Sequence, residues 1–230
     1  MSTIDFTRAR SADAKQVREA AILASAVELA TERGVREVTL TAIAEGVGMH
    51  KSTMLRYFET REEIFLRIAA DAWDRWTAEM TSTLAAMAPA GDGDAPSSAA
   101  IASTIARSLA TRPLFCDLLA HTALNLERHV SDDTVRAFKR RVIADIATVA
   151  DAITVLTGIA SRNAGEVVTV ATSMAGALWQ MAAPTTHLAA LYTSDPELAH
   201  SVVEVEPRLS GIVGALIDGF PREPRPSPAT

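Results

Sequence analysis

A single cysteine, Cys116, stands among the 230 residues. No disulfide can therefore form within the chain, and a lone thiol that reads as a small core hydrophobe suits a reducing cytoplasm. Aromatic residues make up only 5% against 48% hydrophobic residues overall. A core built mainly from alanine and aliphatic side chains favours closely packed helices over sheets. No apolar run approaches the ~20 residues of a membrane span. Arg8, Arg10 and Asp13 interrupt the N-terminus before a signal-peptide core can develop. The expectation is a soluble cytoplasmic protein that does not enter a membrane. Positive charge is scarce as well, with 22 Lys and Arg against 28 Asp and Glu and a net charge of −6. That balance argues against a generic polyanion binder. It is uneven, however: residues 1–70 hold ten of each sign, and the acidic excess lies entirely beyond them. Nucleic-acid contact must then be local to the N-terminal segment. Walker loops, nucleophile-serine turns, HExxH pairs and dinucleotide fingerprints are missing too. With body stripes almost entirely apolar, this predicts no enzyme, no metal and no cofactor.

What is present centres on residues 39–58, TLTAIAEGVGMHKSTMLRYF. Ile43, Ala44 and Val47 make an apolar stripe at helical spacing, with Thr39 as its N-cap. Gly46 and Gly48 supply the backbone freedom to stop one helix and turn into the next. Lys51 to Phe58 reads as a second helix, with Met54 and Phe58 inward and Lys51, Ser52, Leu55 and Arg56 on the opposite face. An apolar back, a small cationic front and a preceding Gly-containing turn make a helix-turn-helix reading head. An ordinary helical hairpin is the alternative on periodicity alone.

The segment resembles the DNA-binding motif of the TetR (tetracycline-repressor-like) family. Ile43-Ala44-Glu45-Gly46-Val47-Gly48-Met49 is similar to its "IAeaAGV", Lys51 to Phe58 to its "kgtlYryF", and Glu59 to Phe65 to its "xsKeeLf". The resemblance covers about residues 15–68 and implies an all-α protein: an N-terminal three-helix DNA-binding head, then a larger helical body that binds an effector and dimerises. It further implies a regulator, mostly of the repressor kind, that binds double-stranded DNA at a palindromic operator as a homodimer and is released by a small, mostly apolar effector. Heads on a two-fold dimer enter major grooves about 34–36 Å apart, or multiples of that. Thr39, Thr41, Lys51, Thr53, Tyr57 and Arg61 are the phosphate candidates, and Lys51, Ser52 and Leu55 the base-edge candidates. Arg56 joins them on the same front. Leu55 replaces the family's usual Tyr and can pack on a thymine methyl. His50 replaces a capping Ser; as a poor N-cap it is expected to contact DNA itself. A helical enzyme or a protein–protein adaptor that borrowed the hairpin is the competing class.

In chain order, residues 1–14 read as a flexible basic arm, and Lys15 to Arg33 as an amphipathic helix with Val17, Ala21, Ala24 and Val27 on its face and Ile22 and Leu29 at its margins. The head is placed at 15–60, the body at 61–220 and a disordered Pro-rich tail at 221–230. Thr60 and Glu63 form a capping box opening a helix through Met87. Further helices are expected over Ile101–Ala110, Leu114–Arg128, Ser131–Thr157, Glu166–Ala183 and Asp195–Phe220. The last two are rich in small residues, and the resemblance makes them the dimer interface. Trp73, Trp76, Phe115, Leu119, Phe138, Met174, Trp179 and Met181, oriented by His121 and Asn125, are the effector candidates. His121, Asn125 and His129 recur every four residues, but without a thiolate or carboxylate at ligand spacing they read as surface or lining groups. Arg136, Lys139, Arg140 and Arg141 read as a solvated face.

Overall fold

The computed structural model describes residues 3–89, 94–182 and 186–222, and no strand occurs among them. Helix α1 spans Thr3–Arg33, α2 Leu40–Gly46, α3 Lys51–Met54 and α4 Arg61–Ala86. Then come α5 (Ser98–Ala110), α6 (Pro113–Thr122), α7 (Asp132–Thr157), α8 (Ser161–Ala182), α9 (His187–Ser194) and α10 (Val205–Gly219). Local chemistry starts most of them. The side chains of Thr39, Thr60, Ser97 and Ser131 each accept the backbone N–H three residues on, and Pro113 opens α6, where its missing N–H costs nothing.

The first helix begins at Thr3, so the arm expected over residues 1–14 is helical from Thr3 onward. The side chains of Arg8 and Arg10 lie outside the described residues. The buried face of α1 also differs from the expected one. Ile22, Ser25, Ala26 and Ala30 are buried, whereas Ala21 and Ala24 are exposed and Val17 is 69% exposed. The cause is packing against α2: a Cβ at Gly46 would sit 2.3 Å from Ser25 Oγ. Gly46 is thus needed for close approach of two helices. Gly48, at φ 64°, makes the turn: the Gly48 N–H bonds Glu45 O at 3.0 Å and the Met49 N–H bonds Ala44 O at 2.8 Å. This pair of bonds is a Schellman cap.

In the body, α4 packs on α7, α7 on α8, α8 on α6 and α10, and α10 on α5. Arg141 turns out not to belong to a solvated face. It spans from α7 to α4, donating to Asp74 Oδ1 at 2.7 Å and Asp71 Oδ1 at 2.9 Å. Arg136 pairs with Asp133 and Lys139 with Glu127. The helix expected from Leu114 stops at Thr122 and gives way to a 3-10 turn at Leu126–His129. The helix expected from Asp195 is likewise interrupted, by a 3-10 turn over Pro196–Ser201, and α10 starts only at Val205. Pro207 explains the late start: in the first turn its missing N–H and ring clash are harmless. Arg222 bridges to Ile159, and the expected tail from 223 lies outside the described residues.

The small residues of α8 serve the subunit's own core as well as its surface. Ala171, Ala175 and Gly176 are buried, and a Cβ at Gly176 would lie 2.7 Å from the backbone N of Ala120. Backbone cannot yield as a side-chain tip does. Gly176→Val should therefore lower the unfolding free energy by about 3 kcal/mol or more, read from the urea midpoint; a change under about 1 kcal/mol would show that α6 can move aside.

Candidate nucleic-acid interface

The reading head is assembled from its apolar back. Ile43, Ala44, Met54 and Phe58 are buried together with Ile22, Ala26 and Val38, and Ile64 and Phe65 of α4 close the same core. This fixes which side of α3 faces outward. Lys51, Ser52 and Arg56 are exposed and Leu55 is 48% exposed. Neither Lys51 nor Arg56 forms an ion pair among the described residues. Thr39 and Thr41 are exposed at the start of α2, and Thr53 and Tyr57 are half-buried. Recognition-segment residues beyond Met54 continue as turns rather than as α-helix.

Two expected contacts are placed otherwise. His50 is the N-cap of α3: its Nδ1 accepts the Ser52 N–H at 3.4 Å and lies 2.8 Å from Ser52 Oγ. An imidazole nitrogen thus does the work of the serine oxygen, and the ring is not free in the way the sequence suggested. Arg61 is expected at phosphate, yet its guanidinium donates to the carbonyls of Val35 and Val38, bonds Glu62 Oε1 at 2.9 Å and lies 4.8 Å above the Phe65 ring. Those donors join the α1–α2 turn to α4 instead of facing outward.

The head also meets the body through residues that sequence reasoning missed. Glu59 accepts the Ser131 N–H at 2.9 Å and the Thr134 hydroxyl at 3.2 Å, tying the α3–α4 turn to the start of α7. The Ser131 amide, aided by the Ser131 and Thr134 hydroxyls, holds its carboxyl below the usual range against a desolvation cost. Its own N–H bonds Glu63 Oε2 at 2.5 Å, so the capping box closes one residue earlier than expected. Asp117 on α6 accepts the Val35 N–H. Its one sequence signal, a carboxylate one turn before His121 on an otherwise apolar helix, corrects the expectation that no carboxylate stands at ligand spacing from that histidine.

The ten effector candidates do not converge on one cavity. Trp73 packs edge to face on both Trp76 and Phe115, its ring centroid 5.6 Å from each. Trp76 Nε1 donates to Ser108 Oγ at 3.0 Å. Trp73 and Trp76 are closed core, whereas Phe115 also lines a recess of about 240 Å³ between α4 and α6. Leu119, Met174 and Trp179 are half-buried against the core, whereas Met181 is 55% exposed. Phe138 instead floors a recess of about 240 Å³ between α4 and α7, with Leu66, Ala70, Ala137 and Arg67 around it. His121 and Asn125 line a separate cleft of about 230 Å³ under the head, where Asn125 Nδ2 lies 3.3 Å from His121 Nδ1 and its carbonyl 3.0 Å from His129 Nδ1. Cys116 is fully buried, and burial pushes its thiol up to about 12, which suits a core residue.

Comparison with known proteins agrees with this architecture. Residues 22–68 match the family model described as "Bacterial regulatory proteins, tetR family", and residues 70–224 match "Tetracyclin repressor-like, C-terminal domain". No curated protein matches significantly. Among solved structures, Thermus thermophilus FadR, a TetR-family transcriptional repressor in complex with lauroyl-CoA, is 17% identical over 92% of this chain and 100% of its own, with TM-score 0.56. RolR in complex with resorcinol is 19% identical over 91% of this chain and 90% of its own, TM-score 0.53. The fatty acid degradation regulator FadR of Bacillus halodurans is 12% identical over 89% and 97%, TM-score 0.53. At these identities the structures speak for a shared fold. The two family models together span both head and body, and the chain is a member of the TetR family of transcriptional regulators.

Proposed function

We propose that the protein is a cytoplasmic repressor that binds a palindromic DNA operator as a homodimer and is released by a small, mostly apolar effector. The observation that carries the DNA reading is the front of α3. Lys51 and Ser52 on α3, and Leu55 and Arg56 in the turn that follows it, stand exposed on a segment whose back is locked into the head, and the two cations form no ion pair among the described residues. Lys51, Ser52 and Leu55 reach base edges, while Arg56 and the rim residues Thr39, Thr41, Thr53 and Tyr57 serve phosphates.

Dimerisation is assigned to α8 and α10. Beside the small residues that α8 buries, Ser173 and Ala177 of α8 and Gly211 and Ala215 of α10 are exposed, and Ile212 and Leu216 are half-buried. A face of small and aliphatic residues suits a second copy related by a two-fold axis. For the effector, the Phe138 recess offers an apolar floor and the Arg67 cation at its edge. Its volume lies under the ~300 Å³ at which ligand pockets usually begin, so a compact ligand suits it. A ligand wedged between α4 and α7 would act on DNA affinity only by preferring a head placement unlike the DNA-bound one.

The test is enrichment of the purified protein on a randomised duplex library. A palindromic consensus with two half-sites supports the reading; no enrichment at low salt would falsify it and leave a protein-binding adaptor as the alternative.

A further inference from the structure

Asp117 is a buried carboxylate, 8% exposed, with donors arriving from three elements. Oδ2 accepts the Val35 N–H of the α1–α2 turn at 2.6 Å. Oδ1 accepts Gln180 Nε2 of α8 at 2.7 Å, and His121 Nε2 of its own helix lies 3.5 Å away. Burial alone would raise its pKa, but the bonds from His121, Val35 and Gln180 outweigh it, so the carboxyl stays below the usual range and is ionised at neutral pH.

An independent feature aims the head at this oxygen. Gly34 has φ 83° and ψ 152°, a region that essentially glycine alone occupies. A Cβ there would lie 3.6 Å from Asp117 Oδ2, an ordinary contact. Torsion rather than space therefore requires glycine, and the torsion turns the next N–H toward Asp117. On its other side the same turn offers the Val35 and Val38 carbonyls to Arg61 of α4. The turn is clamped from both sides, by α4 and by α6.

We infer that Asp117 is a positioning residue that ties the DNA-reading head, through Gln180, to the dimerisation helix α8. The inference rests on the regulator and dimer readings above and adds to them a route by which the two-fold axis sets the spacing of the heads. A head released from Asp117 keeps its own core, its covalent link to α4 and the Glu59 bonds to the start of α7, but pivots about that side of the junction. Operator binding must then restrict that motion, which lowers affinity without any lost DNA contact.

The experiment compares the full chain with Asp117→Ala and Gln180→Ala. Gln180 is exposed, so its truncation leaves the core intact should Asp117→Ala fold poorly. The first readout is amide exchange at Val35: Asp117→Ala is expected to speed it about tenfold or more while Ile43 and Ala44 in α2 keep their protection. The second is the head-to-head distance distribution in the dimer, read by dipolar spectroscopy from a spin label at Glu45→Cys, an exposed position; the buried Cys116 does not compete for label. Both variants should broaden this distribution and weaken binding to the library-selected duplex about tenfold, with dimerisation unchanged. Unaltered Val35 exchange in Asp117→Ala overturns the inference, as does an unaltered distance distribution in both variants. A wild-type chain without a dipolar signal or a selected duplex sinks the dimer or regulator reading instead; the proposed route to α8 then falls with it, and Val35 exchange alone still decides whether Asp117 holds the head.

Discussion

Lys51→Ala should weaken operator binding by about 2–6 kcal/mol, because both heads of the proposed dimer lose a contact worth about 1–3 kcal/mol each. Lys51 opens a helix whose start is capped by His50 and whose back is pinned by Met54, so its position relative to the groove is set by the head rather than by a mobile loop. It forms no ion pair among the described residues, so the expected loss is that of the DNA contact. Fluorescence anisotropy titrations at several salt concentrations separate its two possible roles. A phosphate contact predicts uniform weakening across sequences and a drop of about 2 in the salt slope, near 0.9 for each head. A base contact predicts relaxed preference at one symmetric pair of positions. Unchanged affinity would remove Lys51 from the interface.

Trp76→Ala is the second large effect, a loss of about 3–5 kcal/mol of stability read from the urea unfolding midpoint. Trp76 is 1% exposed, meets Trp73 edge to face and lies 6.1 Å from Phe115 in a tilted arrangement. Truncation leaves a cavity that α4 and α6 cannot close without moving. Trp76→Phe keeps most of the ring and forfeits chiefly the bond to Ser108, a loss of about 1 kcal/mol. The pair of variants tests what the sequence could not decide. If the three rings lined an open ligand cavity, the alanine variant would lose under about 1 kcal/mol, since an existing void needs no new cavity.

The reason that question was open lies in composition. In an alanine-rich helix nearly every position is a tolerable core residue, so periodicity discriminates poorly. On α1 it pointed to Val17, Ala21, Ala24 and Val27 with Ile22 only at the margin, while the structure buries Ile22, Ser25, Ala26 and Ala30. The choice was made by the close approach of α2 at Gly46, which no pattern within α1 records. The same holds for aromatic residues on several helices: spacing shows that they face inward, but whether they meet one another or a cavity depends on the angles at which helices cross. In the head the pattern was clearer. Met54 and Phe58 alternate with Lys51, Leu55 and Arg56 at helical spacing, and the inward and outward faces are as the sequence implies. Its errors there concern side chains with two possible partners: His50 caps its own helix, and Arg61 serves nearby carbonyls.

By itself the sequence determined the all-helical class, the reading head and where α2, α3, α4, α6 and α7 begin. Caps at Thr39, Thr60 and Ser131 act within three residues, so their geometry is set before any tertiary contact forms. The tertiary structure alone decided how head and body are joined. Asp117 and the Val35 N–H are 82 residues apart in the chain, and Arg141 and Asp74 are 67 apart. Such pairs meet only after helices have packed at particular distances, and those distances are fixed by contacts such as Gly176 against Ala120 that single-chain patterning does not encode.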